Sequence, residues 1–323
     1  MESFFASTLR SFWADGLNAI TGAANQQLID TFDDKKGYVF YHPIQVQLFK
    51  AKITDFEVFL RGYASDINRF GCAAIESMNE IHYKPFFTKS HSWKCIKVYY
   101  ASYYAAHALL RLHGISCTNF ERENLNHIEK VADLWGMQNG LSIEKGYYQC
   151  ILDSLNKEIF CTKIVASGNK GSHEQLWSVF LNHLDYVITE ISSLPATVEL
   201  QRILTKLADL KNTLTAFGSN GGNWLSKVRN EINYKHKNGL WYPYKDAEKY
   251  FNRIEAMIEN WEKVPDQLDL TSNYDKPILR FLDACIFMVS LYLNSAKDMA
   301  DKCPKGTSFQ SHGVLSFLNK INK

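Results

Sequence analysis

Apolar side chains recur every three to four positions along most of this 323-residue chain, and that spacing constrains its fold more than any other feature. Residues 64–81 show the pattern, with Ile67, Phe70, Ala74, Ile75 and Met78 on one helical face. The same period predicts helices over 92–113, 124–136, 145–158, 173–193, 197–216, 223–236, 245–263 and 275–301. Ser172 with Gln175 three positions on reads as a capping box, and Asn223 after Gly221-Gly222 reads as an N-cap. Strand signals are sparse. Tyr38-Val39-Phe40-Tyr41, bounded by Gly37 and Pro43, reads as a short edge strand, and Phe160–Ser167 as an extended stretch. The expectation is an all-α protein with few or no strands. It divides into an N-terminal region (1–85), a helical domain (86–301) and a C-terminal tail (302–323).

A hydrophobic fraction of 46% gives these helices a core to build, and aromatic residues at 14% suit both packing and stacking surfaces. A net charge of +2 sets aside the strongly basic class of nucleic-acid binders. Local charge is different: Lys227, Arg229, Lys235 and Lys237 face Glu231 alone between positions 227 and 237. Such a patch attracts a phosphate backbone without making the whole protein basic. Seven cysteines are scattered, odd in number and free of C-x-x-C spacing, which speaks against a disulfide framework or a zinc site and for a reducing compartment. Residues 1–25 carry Glu2 and Asp15 and lack the plan of a signal peptide. Ala284–Ala296, the longest uncharged apolar stretch, is too short to span a bilayer. The expected location is the cytoplasm, with no membrane partner.

On a helix over 223–236, Arg229 and His236 are seven residues, about 700°, apart and project from one face. Asn230 follows Arg229 directly, and Tyr234 lies four positions further on. With 9 Arg and 10 His in the chain, an Arg–His pair near this spacing arises by chance roughly once. Arg122–His127 is such a pair, about 140° out of register, and reads as structural or capping. Requiring Asn after the Arg lowers the chance expectation to roughly one in twenty, and Arg229 alone passes. A second informative stretch runs from Tyr99-Tyr100-Ala101-Ser102-Tyr103-Tyr104 through Ala105-Ala106-His107-Ala108-Leu109-Leu110 to Gly114-Ile115. Tyr100, Tyr104, His107 and Arg111 share one face of it, opposite Ala101, Ala105, Ala108 and Leu112. That face suits base stacking in a cleft, and equally a packed core or a dimer seam. Ser167–Ser172 lacks P-loop spacing and reads as a loop entering the next helix. His173, Glu174 and His183 form no metal-ligand set.

Arg229-Asn230, five residues and His236, together with the Tyr- and Ala-rich helix ending in Gly-Ile, resemble the signature of the HEPN superfamily. Its members are compact helical bundles, many of them metal-independent ribonucleases acting as toxins or antiviral effectors. The resemblance covers roughly residues 90–265. About 115 residues separate the two stretches, more than a minimal domain needs, which implies an elaborated HEPN-like helical bundle with an N-terminal addition. The implied activity is endoribonucleolytic cleavage, in a toxin or antiphage defence effector, without metal or other cofactor. In that chemistry the RNA 2′-hydroxyl attacks the adjacent phosphorus. His236 is then the general acid or base, since an imidazole exchanges protons near neutrality. Arg229 stabilises the phosphate charge, and Asn230 bonds the phosphate or 2′-hydroxyl or holds His236. Lys227, Tyr234, Lys235, Tyr100, Tyr104 and His107 are the candidate substrate-binding residues. One His per chain leaves a proton carrier missing, so the resemblance implies a homodimer pairing two motifs, with RNA as partner. Cleavage of RNA needs restraint, so a regulatory partner protein or nucleotide is also expected. The rival expectation is a catalytically silent HEPN-like module binding a partner protein or nucleic acid.

Overall fold

The computed structural model describes residues 3–22, 25–33, 37–82, 91–164, 171–241, 250–273, 275–303 and 308–321. Its helices are α1 (Phe4–Leu9), α2 (Phe56–His82), α3 (Ser92–Leu112), α4 (Arg122–Leu134), α5 (Ser172–Ser192), α6 (Val198–Leu214), α7 (Trp224–Lys235), α8 (Phe251–Ile258), α9 (Pro277–Lys302), α10 (Ser308–Ser311) and α11 (Val314–Ile321). Most of the predicted helices are therefore present. The all-α expectation is not met. Strands β1 (Tyr38–Val39), β2 (Leu48–Ile53), β3 (Ile115–Phe120), β4 (Gly146–Asp153) and β5 (Glu158–Lys163) form one antiparallel sheet in the order β1-β2-β5-β4-β3. The fold is mixed α/β. The helix expected over 145–158 is strand β4 and its turn, while residues 165–170 and 242–249, parts of two expected elements, lie outside the described residues.

The chain forms two compact units, each assembled from three stretches. One takes residues 1–11, 71–106 and 176–298; the other takes 12–70, 107–175 and 299–323. The second contains the whole sheet. Strand β2 alternates strictly, burying Phe49, Ala51 and Ile53 and turning Lys50 and Lys52 outward. In β4 the same period buries Tyr148, Cys150 and Leu152. The β4–β5 turn is held by Asp153, whose carboxylate accepts from the Asn156 backbone N–H at 2.9 Å and side-chain amide at 2.8 Å. Phe32 is the hub of the buried aromatic cluster, meeting Tyr38, Phe49, Phe59 and Phe120 edge-on at 5.1–6.1 Å. Helix α3 stops at Leu112, and Gly114 takes φ 71° to turn the chain into β3. Nearby, the buried Arg111 Nε donates to Asp66 Oδ2 at 3.0 Å.

The sheet-free unit is built from helices. Phe281, Phe287 and Tyr292 of α9 are almost fully buried there, with Phe5 packed edge-on to Phe287 at 5.6 Å. Helix α9 is long and apolar enough by composition to cross a membrane, yet 94% of its apolar window is buried by protein, the condition of a core helix. Its Tyr292 hydroxyl lies where a side chain on Gly71 of α2 would begin. Alanine in a helix interior is normally favoured over glycine by about 1 kcal/mol. Here the sign should reverse: Gly71→Ala forces a buried tyrosine to move and is expected to lower the melting temperature, measured by circular dichroism at 222 nm.

Candidate active site

Helix α7 carries the Arg229–His236 segment, and its two ends meet different surroundings. Arg229 is 7% exposed, with Val228 and Ile232 buried on the same helix. Its guanidinium carbon lies 5.3 Å from the Tyr99 ring centre and 5.7 Å from that of Tyr100, both on α3. No carboxylate pairs with it among the described residues, and its Nε is buried without a hydrogen-bond partner. Cation–π contact with two rings returns about 2 kcal/mol or more once desolvated, but a desolvated charge normally demands a counter-charge.

Tyr99 positions this arginine. Its hydroxyl accepts from Trp177 Nε1 at 3.1 Å and bonds Ser226 one helical turn before Arg229. Burial pushes the phenol up to about 12, so it stays protonated and neutral beneath the guanidinium. Tyr100 and Tyr104, half-buried, line a cleft of about 390 Å³ with Ala73, Glu76, Ser77, Glu80 and Lys97. Glu76 and Glu80 against the single Lys97 make this cleft acidic.

At the other end, His236 is the C-cap of α7 in the left-handed conformation, φ 49° and ψ 32°. It is exposed, and its ring stacks on Trp241 with centres 5.1 Å apart and planes 27° from parallel. Trp241 is itself pinned, its Nε1 donating to the Ile232 carbonyl at 2.7 Å. The imidazole is thus held open to solvent by a fixed platform. Asn230 is half-buried, Tyr234 is 72% exposed, and Lys227 and Lys235 are exposed; Lys227 Nζ also reaches Ser219 Oγ at 3.0 Å. No hydrogen bond or ring contact joins Arg229 to His236 among the described residues. Seven positions separate them by about 10 Å along the helix axis.

His107 has a different set of neighbours. It belongs to the sheet-containing unit, is 6% exposed, and stacks on Phe70 at 4.6 Å with planes 9° apart. An Arg111 nitrogen lies 3.0 Å from its Nδ1, and Arg111 is bound to Asp66. Burial, and then the neighbouring Arg111 charge, hold its pKa well below the ordinary value. Nδ1 accepts from the guanidinium, so the proton sits on Nε2 and the ring is neutral. Arg122 is occupied as well, 2.5 Å from Glu129 and bonded to Asn126 at 2.7 Å. Trp241 and Tyr99 were not among the sequence-derived candidates. The signal for Trp241 was a tryptophan just past a glycine, five positions after the motif histidine.

No protein-family model, curated protein or solved structure matches the chain.

The burial of Arg229 decides how it must be tested. Alanine would leave a void, so Arg229→Met, which fills most of the volume without the charge, is the informative change. If the charge is not kept for folding, the variant melts at or above the parental temperature. His107 makes a separate pH prediction. Its folded pKa lies below its unfolded one, near ~6.5, so the unfolded chain takes up the proton first. The stability it allows is intact above that value and lost as pH falls below it. His107→Gln should show a smaller loss of denaturation midpoint between pH 7.5 and 5 than the parent. His183, lowered to about 4 by burial, and Asp283, raised to about 6 by burial, act in both proteins and cancel in the difference.

Proposed function

We propose that the chain is a metal-independent endoribonuclease of the HEPN type, acting as a toxin or antiphage defence effector. The observation that carries the reading is Arg229: a buried guanidinium, seated on two tyrosine rings, with no carboxylate partner among the described residues. A phosphate is the counter-charge such a group lacks, and the delocalised cation fits non-bridging phosphate oxygens in two places at once. His236, open to solvent on the Trp241 platform, is free to exchange the proton of a 2′-hydroxyl or a leaving 5′-oxygen. As the 2′-oxygen attacks phosphorus, its proton goes to a general base and a general acid protonates the departing oxygen. One imidazole cannot hold both positions in one turnover. A second copy of the chain supplies the other, and the homodimer is part of the proposal.

The depth of Arg229 also favours a second reading, in which α7 is a packed element of a silent module that binds a partner protein or nucleic acid. Cleavage separates the two. Asparagine tolerates the left-handed backbone of position 236, so His236→Asn removes the proton carrier with little strain. RNA cleavage should fall by about 10²–10⁴-fold, with the melting temperature unchanged, and Arg229→Met should lose it as well. Parental cleavage should persist in EDTA, and DNA should resist for want of a 2′-hydroxyl. A folded His236→Asn protein that cuts RNA at the parental rate would sink the enzyme reading.

A further inference from the structure

We propose that Trp93 and Trp241 form a stacking platform for an unpaired RNA base beside His236. This rests on the ribonuclease reading for its orientation and deepens it, because it makes single-stranded RNA the substrate. The starting point is an anomaly of burial. Tryptophan carries the largest apolar surface of any side chain and is highly buried on average, yet Trp93 is 59% exposed. It stands edge-on to Trp241 at 5.5 Å, and Trp241 in turn carries His236 at 5.1 Å. Three rings are thus connected, with both outer members exposed and the middle one fixed by its bond to the Ile232 carbonyl.

Charge identifies the occupant. Trp93 lies in the first turn of α3, where Lys94 is matched by Glu255 at 2.5 Å. Just past α7, Lys237 is matched by Glu231 at 3.0 Å, which leaves Lys235 exposed beside His236 with no acidic partner among the described residues. Tyr234, 72% exposed, adds a further ring on the same turn. Exposed aromatic faces with an uncompensated cation are the pattern that holds single strands: rings stack on bases whatever their identity, and the cation follows the backbone. A duplex hides its base faces in its own stack, so the platform selects unpaired nucleotides. The base on the indole carries its ribose and phosphate toward the imidazole. Trp93 and Trp241 are positioning residues, and the proton transfers stay with His236.

The probe is a 2′-O-methyl oligoribonucleotide, which binds like RNA but has no free nucleophile, titrated against the intact protein with tryptophan fluorescence and anisotropy as readouts. The parent should bind the single strand with fluorescence quenching and bind the same sequence as a duplex more weakly. Stacking on one ring implies that Trp93→Ala weakens single-strand binding roughly 5- to 150-fold. Trp93→Phe should retain most of the affinity, and an abasic strand should bind the parent no better than a normal strand binds Trp93→Ala. The exposure of Trp93 makes misfolding a small risk, checked by melting temperature. Parental affinity in Trp93→Ala, or equal affinity for single strand and duplex, overturns the platform even when cleavage by the parent is robust. A parent that never cleaves but loses binding on Trp93→Ala sinks the ribonuclease reading and leaves the platform standing. If Trp93→Ala changes self-association and leaves oligonucleotide binding unchanged, the surface is a dimer contact and the proposal is overturned.

Discussion

The phenol of Tyr99 is the point on which the sheet-free unit turns. Its hydroxyl joins Trp177 on α5 and Ser226 on α7, and its ring lies against Phe281 on α9 at 6.2 Å, 11° from parallel. Four helices are therefore registered by one side chain that is itself almost inaccessible to water. A phenylalanine there would keep the stacking but orphan the buried Trp177 Nε1–H, at about 1–3 kcal/mol, and take away the Ser226 hydroxyl's partner. The same ring is the seat of the Arg229 guanidinium. The packing of the unit and the placement of Arg229 are consequently a single arrangement, and neither can drift without the other.

The helices were legible in the sequence because helical spacing persists over many turns, as in Ile67, Phe70, Ala74, Ile75 and Met78 of α2. The sheet was legible only in part, at the edge strand Tyr38–Val39 and in the extended residues from Phe160 of β5, and the rest was hidden for reasons that particular residues make clear. In β4, Tyr148, Ile151 and Leu152 match a helical face as well as a strand, and eight residues are too few to separate the two periods. The deciding signal was local: Asp153-Ser154-Leu155-Asn156 closes on itself through Asp153, and Leu155, which a helix would have buried, is 89% exposed. Strand β2 was readable, since Lys50 and Lys52 alternate with Phe49, Ala51 and Ile53, but six residues without a flanking turn of familiar type carry little weight. The site divides in the same way. Arg229, Asn230 and His236 announce themselves by spacing along one helix. The tyrosine seat and the tryptophan platform come from α3 and from the segment after α7, and proximity of that kind has no period to read.

Three buried arginines show how differently the molecule treats the same cation. Arg111 is given a carboxylate, Asp66, and removing either partner would strand a charge at a cost of about 3–5 kcal/mol. Arg280 is given oxygens: it donates to the Asn212 carbonyl at 2.8 Å and to Thr213 Oγ1 at 3.1 Å, at the C-terminal end of α6 where the helix dipole is negative. In both cases the counter-charge is built in, and a further ligand would gain little. Among the described residues Arg229 receives the faces of two tyrosine rings and leaves its Nε unsatisfied. Aromatic faces offset part of the desolvation of a cation and none of its capacity for hydrogen bonds. Evolution of a purely structural helix would sooner place a methionine or leucine at that position, with no charge to desolvate. Among the described residues the Arg229 guanidinium is buried and oriented with no carboxylate to pair it, which supports the proposed phosphate as its counter-charge.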